Sequence, residues 1–169
     1  MDTLLGSRRS TWRAPDWTAA AVSGFAAGAV LMVLDLFWSA MFDPHGPWRI
    51  SHMIAPIFMG ADSVRTAGFE FNVTVVSVAL ATHFLLGILF GLGVGAMLAL
   101  FRLDSTPGLA LVAGATLGCA LYLVNFELLA GFFPWLVNMR GVDTVAAHVV
   151  FGVVAALLYC RFKRTATES

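Results

Sequence analysis

Residues 24–44 read GFAAGAVLMVLDLFWSAMFDP, and residues 114–134 read GATLGCALYLVNFELLAGFFP. Laid over one another, the two stretches match at Gly24/Gly114, Gly28/Gly118, Leu31/Leu121, Phe42/Phe132 and Pro44/Pro134. An amide, Asn125, stands where the first copy has a carboxylate, Asp35. A second pair, Ala81-x-His83-x3-Gly87 and Ala146-x-His148-x3-Gly152, recurs at a shorter offset. This is the pattern of a two-helix hairpin present twice, with repeat 1 over residues 17–101 and repeat 2 over residues 108–162. A unit of two spans keeps its orientation, so the copies are expected to be related by an axis along the membrane normal, as parallel repeats are.

Composition sets the solvent. Hydrophobic residues make up 59% of the 169 positions and charged residues 12%, against roughly 25% charged in soluble domains. Four apolar runs appear, at Trp17–Phe42, Phe71–Phe101, Gly108–Phe133 and Val142–Phe162. Each reaches the roughly 20 residues that a helix needs to cross the hydrocarbon core. A chain of this length cannot bury four such runs in a soluble core. The expected fold is an all-α membrane protein: one four-helix transmembrane domain over 17–162, with tails 1–16 and 163–169. The first run exceeds the 7–15 apolar residues of a signal peptide and belongs to the repeat, so it is expected to remain in place.

Arginine and lysine placement predicts orientation. Arg8, Arg9, Arg13, Arg102, Arg161, Lys163 and Arg164 fall on one side; Arg49, Arg65 and Arg140 fall on the other. Both termini of a multi-pass membrane protein are therefore expected in the cytoplasm. The formal net charge is zero and no basic patch suggests nucleic acid. Cys119 and Cys160 lie inside apolar runs, which rules out an exported disulfide framework and makes them small packing residues.

Connections follow from punctuation residues. Trp12 and Trp17 are placed to anchor the first run at the interface, and Pro15 with Asp16 opens it. Asp43-Pro44-His45-Gly46-Pro47 closes it, because two prolines and a glycine cannot continue a helix. Ser105 or Thr106 can cap the third span, with Pro107 in its first turn. The first outer loop carries an insertion over residues 46–70 that is too short and interrupted to span. It predicts a short interfacial helix, with residues 133–140 as a reduced counterpart.

The polar residues inside the apolar runs are the candidate site, since such groups are costly in lipid and functional by default. Gly24, Gly28, Leu31 and Asp35 share one helix face, as do Gly114, Gly118, Leu121 and Asn125. His83, Gly87, Gly91 and Gly95 share another, and so do His148, Gly152, Ala156 and Cys160. Small residues at this spacing let helices approach closely in lipid. Each stripe should therefore face the bundle interior and bring Asp35, His83, Asn125 and His148 into one polar layer. The repeat pairs Asp35 with His83 and Asn125 with His148.

Three uses of that layer fit: cross-helix hydrogen bonds that fix the bundle, a haem or transition-metal site on His83 and His148, or a path for protons or a small solute. Glu127 points away from the stripe, and with Gly131 it marks a face for a membrane partner or for self-association. In the outer loop, His45, His52 and Asp62 with Met41, Met53 and Met59 mainly suit a solvated interfacial segment, with soft-metal ligation as the alternative. No nucleophile elbow, P-loop or nucleotide-binding glycine loop is present.

The segments Gly118-Cys119-Ala120-Leu121-Tyr122-Leu123-Val124-Asn125-Phe126, Phe133-Pro134-Trp135 and His148-Val149-Val150-Phe151-Gly152 carry a resemblance, together with Met53-Ile54-Ala55 and His83. On them the chain resembles a group of uncharacterised bacterial four-span inner-membrane proteins, some of which bear automatic symporter labels. The resemblance implies the four-span fold and no particular activity. From the residues themselves, the expected function is that of a non-catalytic subunit or assembly factor of a larger inner-membrane complex, a respiratory one among the candidates. The alternatives are a small haem- or metal-binding membrane protein, and a small transporter or proton conductor.

Overall fold

The structure, a computed structural model, describes residues 14–62 and 68–163. Arg8, Arg9, Trp12, Arg13, Arg65 and Arg164 lie outside the described residues, as does most of each terminal tail. The fold is all-α, with four helices long and apolar enough to cross a membrane. They are α1 (Trp17–Phe42), α4 (Val73–Leu100), α5 (Pro107–Leu123) with its irregular extension to Gly131, and α6 (Val142–Phe162). Two short helices, α2 (Arg49–Ile54) and α3 (Pro56–Met59), occupy the first outer loop.

Local chemistry sets these boundaries. Asp16 caps α1, its carboxylate accepting from the Ala19 N–H at 3.0 Å. Asn72 caps α4, accepting from the N–H groups of Thr74 and Val75. Thr106 caps α5, with Pro107 in the first turn, where its missing N–H costs nothing. At the end of α4 the chain turns through Arg102 at φ 55, and the Leu103 N–H reaches back to the Leu98 carbonyl at 2.9 Å. That is the reversal by which helices commonly stop.

Helix α1 packs on α4 and on α6, and α5 packs on α6. Glycine makes these approaches possible. A Cβ on Gly91 would lie within 3 Å of backbone atoms of both Gly24 and Ala20, and one on Gly24 would meet Gly87 and Gly91. In the second hairpin, Gly114 and Gly118 meet Gly152, His148 and Val149 in the same way. Gly95 admits the Tyr159 ring and the Ala20 methyl. The core around Ala27, Leu31, Leu98 and Phe151 therefore forms between helices already held backbone to backbone.

At the end of the bundle that carries the chain termini, Lys163 pairs with buried Asp104, and the Asp16 N–H donates to the Tyr159 hydroxyl at 3.2 Å. At the opposite, loop end, Trp135 Nε1–H donates to the Met53 carbonyl and Arg49 donates to the Asn138 carbonyl. These two bonds tie the two loops together. Arg102, Arg161 and Lys163 lie at the terminal end, Arg49 and Arg140 at the loop end.

Alanine at Gly91 or at Gly152 should each lower bundle stability by about 1–3 kcal/mol, because the added methyl meets backbone that cannot yield. Alanine at Gly93, where nothing lies within 4 Å, should raise it by about 0.5–1 kcal/mol through helix propensity alone. Unfolding of the three variants in detergent micelles checks the contrast.

Candidate functional site

Toward the loop end the bundle opens around a cavity of about 1110 Å³. Its walls come from α1 between Gly28 and Phe42, from α4 at His83, Leu86 and Phe90, from the end of the third span, and from the first half of α6. Small-molecule sites usually measure about 300–1,000 Å³, so this space is ample for one. Most of the wall is apolar, formed by residues such as Leu31, Phe90, Leu129 and Phe151.

Asp35, His83, Asn125 and His148 all line this one cavity. Their bonding differs between the two hairpins. His148 Nδ1 lies 2.8 Å from the Thr144 carbonyl one turn back on α6. A carbonyl only accepts, so Nδ1 carries the proton. Nε2 of the neutral ring then offers a lone pair, and the Asn125 Nδ2–H donates to it at 3.0 Å. Tyr122 and Phe126 set their rings edge-on against the imidazole. With its NH₂ turned to His148, Asn125 leaves Oδ1 buried and without a hydrogen-bond partner. An unmet buried acceptor costs about 1–3 kcal/mol.

His83 does not meet Asp35 in the way that the repeat predicts. Its Nε2–H donates to the Gly28 carbonyl at 2.8 Å, one turn from the closest part of the α1–α4 contact at Gly24 and Gly91. Among the described residues Asp35 has no hydrogen bond and no ion pair, although it is partly buried within a membrane-length helix. It also borders a smaller pocket of about 210 Å³ beneath α2. Nε2 is therefore engaged on both histidines, and His148 uses both ring nitrogens. Ligation of haem or a transition metal through Nε2 would have to break these bonds. No group of three or more His, Cys, Asp or Glu among the described residues stands close enough to hold a metal ion. In the outer loop, His52 is buried with Nε2–H on the Glu70 carbonyl, and His45 packs on the Phe69 ring.

The third span breaks its regularity where Asn125 sits. Regular α-helix ends at Leu123, a π turn covers Val124–Leu128, and a 3₁₀ turn follows over Leu129–Gly131. Such π turns recur at functional sites, because one extra residue in the turn re-aims a side chain. Periodicity in the sequence carries no sign of it. The turn loosens the backbone around Phe126, and Arg140 repairs the defect: its Nε–H and Nη2–H both donate to the Phe126 carbonyl. Nη2 also reaches Glu127 Oε2 at 2.9 Å. Glu127, 54% exposed at its side chain, thus has a partner within the chain. Gly131 faces open space, and a Cβ there would meet nothing within 4 Å.

Charge around the cavity is lopsided. Arg49 pairs with Asp43 at 3.2 Å, and Arg140 pairs with Glu127, so both cations on the wall are matched. Asp35 and Asp143 also line it, and neither has a cationic partner among the described residues. Asp143 sits in the first turn of α6, where a carboxylate suits the helix dipole. Asp35 has no such compensation.

Arg140→Ala, which removes two charged donor bonds to the Phe126 carbonyl and the pair with Glu127, should cost about 1–3 kcal/mol of stability. Glu127→Gln, at an exposed pair, should change it by less than about 0.5 kcal/mol. Denaturation in micelles separates the two. Nitrogen-15 NMR of labelled histidine should show His148 as the neutral Nδ1–H tautomer, with its Nε2 resonance moving on Asn125→Leu. The chain matches no known family profile, no curated protein and no solved structure.

Proposed function

We propose that this protein is a non-catalytic membrane protein that takes a largely apolar small molecule into its loop-end cavity and reads the polar end of that molecule with Asp35, His83, Asn125 and His148. One observation carries the reading: a cavity of about 1110 Å³, walled by hydrocarbon and aromatic side chains, holds a few convergent polar groups. That combination characterises small-molecule sites in general. The entry side is consistent with it. Phe37 and Trp38 line the cavity while remaining largely exposed on α1, and α1 has no extensive packing against α5. A ligand dissolved in the membrane can approach there. The matched glycine contacts of the two hairpins support their reading as duplicated units, with the site where the copies part. The excess of basic residues at the terminal end supports an inner-membrane location with both termini cytoplasmic.

The exposed Glu127 favours a second reading, a subunit or assembly factor docked on another membrane protein or on a second copy through the Glu127–Gly131 face. Its in-chain partner Arg140 makes that demand weaker than a bare carboxylate would. A photocrosslinker at position 131 should trap one discrete partner in native membranes, and labelling of lipid alone would dismiss this reading.

Native mass spectrometry of the protein in nanodiscs, screened with neutral lipophiles, should show saturable binding of one molecule per chain. At a hundredfold excess over Kd, such a ligand stabilises the fold by about 2.7 kcal/mol. Ala147→Trp, which fills the cavity from α6, should abolish binding while its own unfolding stays cooperative. No saturable binding by any lipophile would overturn the reading.

A further inference from the structure

We infer that the head group this cavity selects is a protonated amine: the preferred ligand class is an amphiphile with an ammonium at one end and an apolar body. The inference rests on the small-molecule reading above and specifies its chemistry.

Three observations converge. Asp35 is a carboxylate in a membrane-length helix, on the cavity wall, with no donor or cation bonded to it among the described residues. Carboxylates at such depth nearly always pair with something, and the space beside this one is the cavity and its smaller neighbour. Asn125 lines the same cavity, and its Oδ1 is a second acceptor left over, buried in its present position and met by a ligand donor only when the side chain shifts, while its NH₂ orientation is not free. The Thr144 carbonyl fixes the His148 tautomer, His148 then demands the Asn125 NH₂, and the amide oxygen is what remains. The third is the charge imbalance, since both arginines on the wall are already matched by Asp43 and Glu127. What is missing from the site is therefore a donor and a positive charge, not an acceptor. A primary ammonium supplies three donors on a compact cation. A carboxylate or phosphate head would meet two unpaired carboxylates, Asp35 and Asp143, and a plain alcohol would leave the charge unmatched.

The alkyl chain belongs against the apolar wall. Leu31, Phe90 and Phe151 lie toward the bundle centre from the polar layer, and Phe37 and Trp38 toward the lipid. Either direction accommodates a chain, so the head group is the discriminating part.

The test uses three probes with the same tail, dodecylammonium, dodecanol and dodecanoate, each competing with a neutral fluorescent lipophile on the full chain. Nanodiscs of zwitterionic lipid prevent the membrane surface from concentrating the cation. Dodecylammonium should bind at least about tenfold more tightly than dodecanol, since a hydrogen bond to a charged group commonly contributes that much. Dodecanoate should bind most weakly. Asp35→Asn, close in shape, should remove most of the ammonium preference and leave dodecanol affinity within about threefold, because only the charged hydrogen bond is lost. Asn125→Leu should reduce dodecylammonium binding more than dodecanol binding. If Asp35→Asn does not fold, the ranking of the three probes on the unmodified chain still decides. Equal binding of all three, or a preference for dodecanoate, overturns the amine assignment while leaving the cavity a lipophile site. Failure of every probe, with the lipophile itself unbound, overturns the small-molecule reading as well.

Discussion

In hydrocarbon, helices gain nothing from hiding apolar surface from one another, because lipid tails are as apolar as leucine. Association has to come from how closely backbones approach, and here that approach is made at glycine. Gly24, Gly87 and Gly91 interlock in one hairpin, and Gly114, Gly118 and Gly152 in the other. These contacts lie nearer the terminal end of the bundle. On the loop side of them α1 carries Leu34, Phe37 and Trp38, which line the cavity. There the cavity lies between the hairpins, lined by residues of both.

The polar residues occupy the border between those two regions. His83 still belongs to the tight part, its ring bonded to the carbonyl of Gly28. His148 belongs to the open part, and its partner Asn125 arrives on a π turn. A regular helix would satisfy the Phe126 carbonyl internally. The turn instead passes it to Arg140, which binds it twice and holds Glu127 as well. An arginine at the start of the final span therefore stabilises an irregularity at the end of the one before it. The irregularity in turn presents Asn125 to His148.

Much of this was legible in the residues. Apolar run lengths located the four spans to within a few positions, since the hydrocarbon thickness leaves little choice. Asp16 and Thr106 announced helix starts by their side-chain chemistry, and the small-residue stripes pointed to the polar residues that line the cavity. The π turn was not legible, because it depends on a bond from Arg140 fourteen residues away and leaves no mark on the apolar pattern. Nor was the solitude of Asp35. Repeat matching places a histidine opposite it, but a backbone carbonyl, present at every residue and so invisible to pattern matching, takes the histidine first. Asp143 drew no attention because it lies at a span edge, where charge is ordinary, and Arg49 was read for orientation alone.

The chain from Thr144 to Asn125 has a consequence for substitution at position 144. The polarity presented at this part of the cavity wall is set by the main-chain carbonyl of residue 144, not by its side chain. Any amino acid that keeps the helix supplies the same carbonyl, and hence the same imidazole tautomer and the same unmet amide oxygen. The Thr144 hydroxyl has a separate task, donating to the Met139 carbonyl at 2.6 Å, and the His148 tautomer does not depend on it. The arrangement of Asn125 and His148 is thus carried by an atom that no substitution at position 144 removes.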